Sequence, residues 1–310
     1  MKQIIRSKFR LIKLIFKGYL AGLKASKQVL ELQKDLSIYK NNSYQIGYLK
    51  GKNKLFCILE QGSESNCELA KNKKKIFKTA FSDCYRLNWK NNKNDDQADL
   101  FKENVCWSEG RSLLFNEYKN KFDYFIFVDD DVDFCCKDNQ NPAEIIREQL
   151  IKYKPIHGSI PSDAWKGYQK KYIEYVLPMK GGDQCVQFFR SDFANIMFPT
   201  WNHGSSKSMW YSQFIAHVLF PKRSIFFKDL YAKNTKHELH EDRSLESFNQ
   251  PNDQIDLFAK SIKDKTLRNL FKNWKEYSYS PLTIKSNFDH DLSFKKEYLV
   301  NFLEIENKNG

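Results

Sequence analysis

The stretch FDYFIFVDDDVDF, from Phe122 to Phe134, limits what this chain can become more than any other segment. Tyr124–Val128 is an unbroken apolar run of aromatic and β-branched residues, too short for a buried helix and bounded by charge, so it reads as a buried strand. It ends abruptly on Asp129, Asp130 and Asp131, with Asp133 next but one. Carboxylates this close repel one another unless solvent, a cation or a donor network holds them. A divalent metal is the expected answer.

The flanking sequence supplies a scaffold for that strand. KLFCILE (54–60) reads as a short buried strand ending at Gln61-Gly62, NCELAKNKKKIFKTAF (66–81) as a helix, and DCYRLNW (83–89) as a second strand. ENVCW (103–107) reads as a third strand, and Ser108 as the N-cap of a helix over EGRSLLFNEYKN. After the acidic run, NPAEIIREQLIKY (141–153) opens with Pro in its first turn, a helix start signal. KPIHGSIP and DQCVQFFR give two more strands, and SMWYSQFIAHVLF (208–220) a buried helix. This alternation predicts an α/β fold with a mostly parallel sheet and helices on both faces. Right-handed crossovers then bring the ends of parallel strands to one edge, where ligands bind.

Composition narrows the function classes. With 310 residues the chain has ample length for a buried core, and 29% charged residues argue against an integral membrane protein. The net charge of +13 suggests nucleic acid until it is located. Residues 1–54 hold thirteen Lys and Arg against only Glu31 and Asp35, so they carry +11 and leave +2 for the rest. A nearly neutral body has no phosphate-tracking groove, which excludes nucleic acid as the main partner. The seven cysteines are odd in number and lack paired CxxC spacing, as expected for reduced thiols in a cytoplasmic protein. Neither a signal peptide nor a spanning segment of ~20 apolar residues is evident.

The basicity belongs to an arm. Ile5, Phe9, Ile12, Phe16, Tyr19 and Leu23 share one helical face, with Lys2, Arg6, Arg10, Lys13, Lys17 and Lys24 on its flank. Two readings follow: a helix packed on the body with a solvated basic edge, or an interfacial helix on anionic lipid. The expected organisation is therefore an arm and linker over 1–45, a catalytic body over 50–245, and a helical C-terminal extension over 246–310. The location expected from the second reading is the inner face of a membrane, held peripherally through residues 1–30.

Local spacing sorts the chemistries open to the acidic run. Asp129, Asp131 and Asp133 supply the D-x-D-x-D of a calcium loop, but Phe134 and Gln140 stand where that loop needs Gly and Glu. A Walker B strand is excluded because no G-x-x-x-x-G-K-[ST] exists. An aspartyl-nucleophile phosphatase pattern is a runner-up, with Asp133 in the position usually held by Thr or Val. A solvated acidic turn on a non-catalytic surface protein is the bland alternative.

FDYFIFVDDDVDF resembles the D-x-D segment of the GT-A-fold glycosyltransferases, which bind nucleotide sugars on a Rossmann-like α/β fold. WSEGRSLLFNEYKNKFDYFIFVDDDVDF has a similar order of Gly-Arg, helix and metal strand. GGDQCVQFFRSDFANIMFP resembles a later strand and helix of such enzymes, and YAKNTKHELH an N-x-x-H segment that completes the metal site in some of them. The resemblance spans about residues 50–245. It implies a hexosyltransferase-type enzyme using Mn2+ or Mg2+ and a nucleotide-sugar donor, with a UDP-sugar favoured and a glycan or glycolipid acceptor of surface polysaccharide synthesis.

By this resemblance Asp131 is the direct metal ligand, Asp129 faces the ribose or the metal, and Asp130 supports them. His237 is the third protein ligand, with His240 as its rival. Arg111 near a helix start faces phosphate, and Glu60 and Gln61 at the end of the first strand hold base and ribose. Asp183 is the favoured catalytic base, with Asp192 and Glu241/Asp242 as alternatives, unless the enzyme retains configuration and needs none. Trp201, His203, Trp210 and Tyr211 are candidates for stacking on an acceptor sugar, or for the core.

Overall fold

The computed structural model describes residues 46–62, 67–89, 95–103, 105, 107–162, 177–178, 185–198 and 224–235. The basic arm, the expected helix at 208–220 and the C-terminal extension lie outside the described residues. In chain order the elements are β1 (Lys54–Gly62), α1 (Cys67–Phe77), β2 (Ser82–Asn88), β3 (Leu100–Phe101) and α2 (Trp107–Tyr118). There follow β4 (Phe122–Asp129), β5 (Val132–Cys136), α3 (Pro142–Tyr153), β6 (His157–Ser159) and β7 (Leu177–Pro178). The last are β8 (Val186–Arg190), α4 (Ser191–Met197), β9 (Ser224–Phe226) and β10 (Leu230–Asn234).

Eight strands form one sheet in the order β3-β2-β1-β4-β8-β6-β9-β7, and β5 pairs with β10 in a separate two-stranded ribbon. The half built from β3, β2, β1 and β4 is parallel throughout. Beyond β4 the direction changes: β8 runs antiparallel to both β4 and β6, while β9 is parallel to β6 and antiparallel to β7. The fold is therefore mixed α/β, and the parallel expectation holds for the half that carries the acidic run. From β1 the chain passes through α1 to β2 on one side, then returns through α2 to β4 on the other. Such a reversal of strand order leaves a crevice outside the carboxyl ends of the two central strands. Here those ends are Gln61-Gly62 and Asp129.

The period-two alternation of strand side chains divides the core between two faces. Phe56, Ile58, Tyr124, Ile126, Val128 and Phe188 pack with Phe77 of α1 and Ile145, Ile146 and Leu150 of α3. On the opposite face, Phe115 of α2 meets Phe125 edge-on at 4.9 Å, and Phe198 beyond α4 lies 4.5 Å from Phe127. Among the described residues, α1 and α3 cover one face of the sheet and α2 and α4 the other. The start of α3 follows the sequence reading: Pro142 lies in the first turn, and Asn141 Oδ1 accepts from the Ala143 amide at 2.9 Å. Asn–Pro at this boundary satisfies one amide and removes another.

Two local expectations are corrected, and one element is added. Of ENVCW, Glu103 and Val105 are not in a strand and Trp107 opens α2; among the described residues the third strand in chain order is the two-residue β3 at Leu100–Phe101. Helix α2 begins at Trp107, so Ser108 lies inside its first turn instead of capping it. The acidic run is followed at once by β5, where Val132 and Phe134 are buried and Asp133 is half-buried. Among the described thiols, Cys57, Cys84 and Cys185 are buried and Cys135 and Cys136 half-buried, none of them in a disulfide. Burial raises the Cys57 thiol well above its usual range and pushes Cys84 and Cys136 up to about 12, so these three stay protonated and unreactive.

Candidate active site

Strand β4 delivers Asp129 to the carboxyl edge, directly opposite Gln61 of β1. On its other side the Asp129 amide donates to the Cys185 carbonyl at 2.9 Å, just before β8 begins. Because β8 is antiparallel, its start, not its end, borders the acidic turn. The chain then leaves the sheet through Asp130 and Asp131 and enters the β5–β10 ribbon. At that hinge the Asp131 carbonyl accepts from both the amide and the hydroxyl of Thr235, at 2.9 and 2.8 Å. The turn is thus anchored to three segments: β1, the approach to β8, and the end of β10.

Two buried cations grip the turn from opposite faces of the sheet. Arg111 of α2 is fully buried, stands over the Phe127 ring at 5.6 Å, and places Nη2 3.0 Å from Asp129 Oδ1. Lys73 of α1, also buried, donates to the carbonyls of Val132, Asp130 and Asp129 at 2.9, 3.1 and 3.3 Å. Its Nζ also lies 2.7 Å from Glu60 Oε2. Burial draws this ammonium down to about 8, against the pull of nearby Cys84 and the three aspartates, so it is charged at neutral pH. Glu60 in turn pairs with Arg86 of β2, whose Nε lies 2.9 Å from Asp95 Oδ2.

The three carboxylates of the turn are each partly exposed. Burial first, and then the charges of Asp129 and Asp130, push the Asp131 carboxyl up to about 7. A cluster of hard oxygen donors that resists its own ionisation suits a hard divalent cation, Mg2+ or Mn2+. Among the described residues no three His, Cys, Asp or Glu side chains converge into a ready-made cage. A metal here would take Asp131 and Asp129 as its carboxylates and complete its shell from other oxygens.

Close packing at the crevice depends on two glycines. A Cβ on Gly62 would stand 2.1 Å from Asp130 Cβ, so the last residue of β1 must be bare for Asp130 to lie over it. A Cβ on Gly110 would stand 2.6 Å from the Gln61 amide, which is buried there with no hydrogen-bond partner among the described residues.

Several expected roles meet a different environment. Arg111 is not at a helix start but a full turn into α2, and its guanidinium is engaged with Asp129. Glu60 is buried and held by two cations, Lys73 and Arg86. Asp192 is removed from the candidates for base: Arg190 holds it bidentately at 2.8 and 2.7 Å. Its neighbour Arg190 pairs with Tyr124, five residues below Asp129 or roughly 16 Å along the strand. Asp183, His237, His240, Glu241, Asp242, Trp201, His203, Trp210 and Tyr211 lie outside the described residues.

Lys73 is the site residue that sequence reasoning missed. Its signal was present: it follows Ala70 by three and precedes Phe77 by four, on the buried stripe of α1. Arg111 has the same placement relative to Leu114, Phe115 and Tyr118 on α2. A cation on an apolar stripe must find a buried partner.

No family model matches this sequence, and no curated protein does. Among solved structures, the chain is similar to a mannosyltransferase from Pyrobaculum calidifontis in complex with GDP-mannose and Mn2+. That match has 9% identity and a TM-score of 0.42, over 96% of this chain and 98% of the other. It is also similar to the glycosyltransferase GlyE of Streptococcus pneumoniae, at 11% identity and a TM-score of 0.34, over 74% of this chain and 65% of that one. Similarities of this size do not decide a function; the geometry of the chain itself has to. Among the described residues no helix is long and apolar enough to cross a membrane.

Proposed function

We propose that this protein is a metal-dependent glycosyltransferase, taking a sugar from a nucleotide-sugar donor to a glycan or glycolipid acceptor. The observation that carries the reading is the placement of Asp129, Asp130 and Asp131 at the crevice between β1 and β4, fixed there by Arg111 and Lys73. Buried cations that hold a carboxylate cluster together, instead of dispersing it, favour a site built to receive a positively charged ligand.

Asp131 and Asp129 would hold Mg2+ or Mn2+, with Asp130 ordering the turn from above Gly62. When bound, such an ion offsets the negative charge that collects on a departing nucleoside diphosphate. Arg111, through its contact with Oδ1, keeps the Asp129 carboxylate oriented. Thr235 ties the segment leading to His237 to the Asp131 carbonyl, which supports His237 as a third ligand, since only Lys236 separates the two in sequence. Asp183 is likewise two residues from Cys185, whose carbonyl receives the Asp129 amide, so chain length keeps their Cα atoms within about 7.6 Å. That reach supports Asp183 as the base for the acceptor hydroxyl. Gln61 supplies, beside β4, an amide with no partner among the described residues for the nucleotide end of the donor. The basic amphipathic arm, residues 1–30, would bring this site to anionic lipid carrying the acceptor.

The deciding experiment is a thermal-shift panel of UDP-, GDP-, CMP- and dTDP-sugars with and without Mn2+. Metal-dependent stabilisation by one nucleotide class, abolished in Asp131→Ala, is the expected result. Hydrolysis of simple phosphomonoesters without any response to sugar nucleotides would instead establish the phosphatase reading. For the arm, loss of residues 1–30 should release the protein from anionic vesicles, and unchanged binding would refute the anchor.

A further inference from the structure

Lys73 touches none of the carboxylates of the turn it holds. Its ammonium has three protons, and four oxygens surround it: Glu60 Oε2 and the carbonyls of Asp129, Asp130 and Val132. No proton is left for a ligand, and the residue is only 1% exposed. The network behind it is balanced, since Lys73 and Arg86 face Glu60 and Asp95 as two cations and two anions. A buried network of balanced charge is tolerated where a single buried charge is not.

The direction of the carbonyls gives the network its purpose. Carbonyls of residues 129, 130 and 132 converge inward on one point of α1. Fixing those carbonyls fixes the peptide planes between them, and with them the directions in which Asp130 and Asp131 leave the backbone, while Val132 turns into the core. Without an inward cation, three carbonyl dipoles would crowd together beside three carboxylates, and the backbone of the turn would rotate to separate them. We propose that the Glu60–Lys73 pair is a positioning device, which clamps the backbone of residues 129–132 so that the acidic side chains are pre-set for a divalent cation. Its cation-binding half rests on the function proposed above; the clamp itself does not.

The clamp predicts a separation that a merely stabilising ion pair does not. Removing both charges together, in Lys73→Met with Glu60→Gln, keeps the network neutral, and the amide introduced by Glu60→Gln still offers Arg86 an oxygen. This double variant should melt near the wild type, whereas Lys73→Met alone strands Glu60 and should melt lower. In the double variant, hydrogen exchange at the Asp129 and Thr235 amides should accelerate at least tenfold, with the centre of β1 unchanged. Its Mn2+ affinity, titrated with UDP or GDP present, should fall about 10- to 100-fold, the range seen when partners of metal ligands are lost. Lys73→Gln, which keeps two donors, should fall between it and the wild type, and it carries the test if the double variant does not fold.

Wild-type exchange at Asp129 and Thr235 in a variant that has lost Lys73 would overturn the clamp, whatever the metal does. Faster exchange at those amides in a protein whose wild type binds no Mn2+ would keep the clamp and overturn the glycosyltransferase reading. Normal Mn2+ affinity together with faster exchange would overturn the pre-setting of the carboxylates.

Discussion

Strand β4 has carboxylates at both ends, and the two ends treat them differently. At its foot, Asp123 accepts from the Tyr48 amide at 2.7 Å, the Gly47 amide at 3.2 Å and Asn53 Nδ2 at 3.4 Å. Beside it, Asp192 is closed by a bidentate Arg190. Each acid there has its own donors. At the tip, three acids share one short turn, Arg111 holds Asp129 through Oδ1, and Lys73 serves the backbone. The Asp131 carboxyl is pushed up to about 7, by burial and then by its two neighbours. Donors that meet the acid make a structural carboxylate; scaffolding that leaves acids facing each other makes a binding one.

Neutralising one acid at each end should separate these roles most sharply. Asp131→Asn removes the proposed direct metal ligand, and losing about 4 kcal/mol of transition-state stabilisation corresponds to roughly a thousandfold in sugar-nucleotide turnover. Without metal its melting temperature should hold or rise, since a repulsion has gone. Asp123→Asn should do the reverse. Weakening two amide contacts costs about 1–3 kcal/mol of stability, and turnover per folded molecule should not change. Turnover assays beside metal-free melts check both, and loss of activity in Asp123→Asn alone would invert the comparison.

Gly62→Ala tests the tip without touching a carboxylate. Its new Cβ has no room beside Asp130 Cβ, at 2.1 Å, so the acidic turn must shift. We expect about a tenfold loss of Mn2+ affinity with a destabilisation of about 1–3 kcal/mol. Calorimetric titration measures the first and denaturant melts the second. Unchanged affinity would show that the turn tolerates movement.

What could be read in the sequence follows the same division. β4 was legible because five apolar residues in a row leave few alternatives, and α3 because Asn141-Pro142 marks its own start. The acidic tip was legible for its charge. What was not legible is what holds it. Lys73 lies in KNKKK, where neighbouring lysines hide the one on the buried stripe. The Glu60 assignment came from strand order alone, and strand order does not reveal that Lys73 and Arg86 converge on its carboxylate. The antiparallel turn of β8 was equally hidden, because VQFFR reads the same in either direction, and that direction sends Asp192 to the foot. β5 leaves little signal of its own, because only Val132 and Phe134 alternate with polar neighbours directly after the aspartates.

The raised Asp131 carboxyl gives the tip a pH signature that reaches neutrality, whereas at the foot burial raises Asp123 against the pull of its hydrogen bonds from Tyr48, Asn53 and Gly47. Its ordinary value is 3.8 and its folded value about 7, so the folded protein holds this proton more tightly than the unfolded chain. Its contribution to metal-free stability is therefore full below about pH 4 and is lost as pH climbs toward 7. Mn2+ must displace that proton, so affinity should fall about fivefold between pH 7 and pH 6. The difference between wild type and Asp131→Asn, in melts and in titrations, isolates this one group. A flat difference would show that the Asp131 carboxyl keeps its ordinary value in the folded protein.

The smallest expected effect concerns the fourth acid of the run. Asp133 belongs to β5, pairs in register with Lys233, and accepts the Phe134 amide at 3.0 Å. Those contacts are of the foot type, although the residue is only two positions from Asp131. Asparagine keeps the accepting oxygen, so Asp133→Asn should change stability by no more than about 0.5 kcal/mol. Turnover and Mn2+ affinity should stay within about twofold, because long-range charge among partly exposed groups is screened. If Asp133→Asn instead matched Asp131→Asn, charge density alone would govern the tip, and the placement of individual carboxylates by Arg111 and Lys73 would not matter.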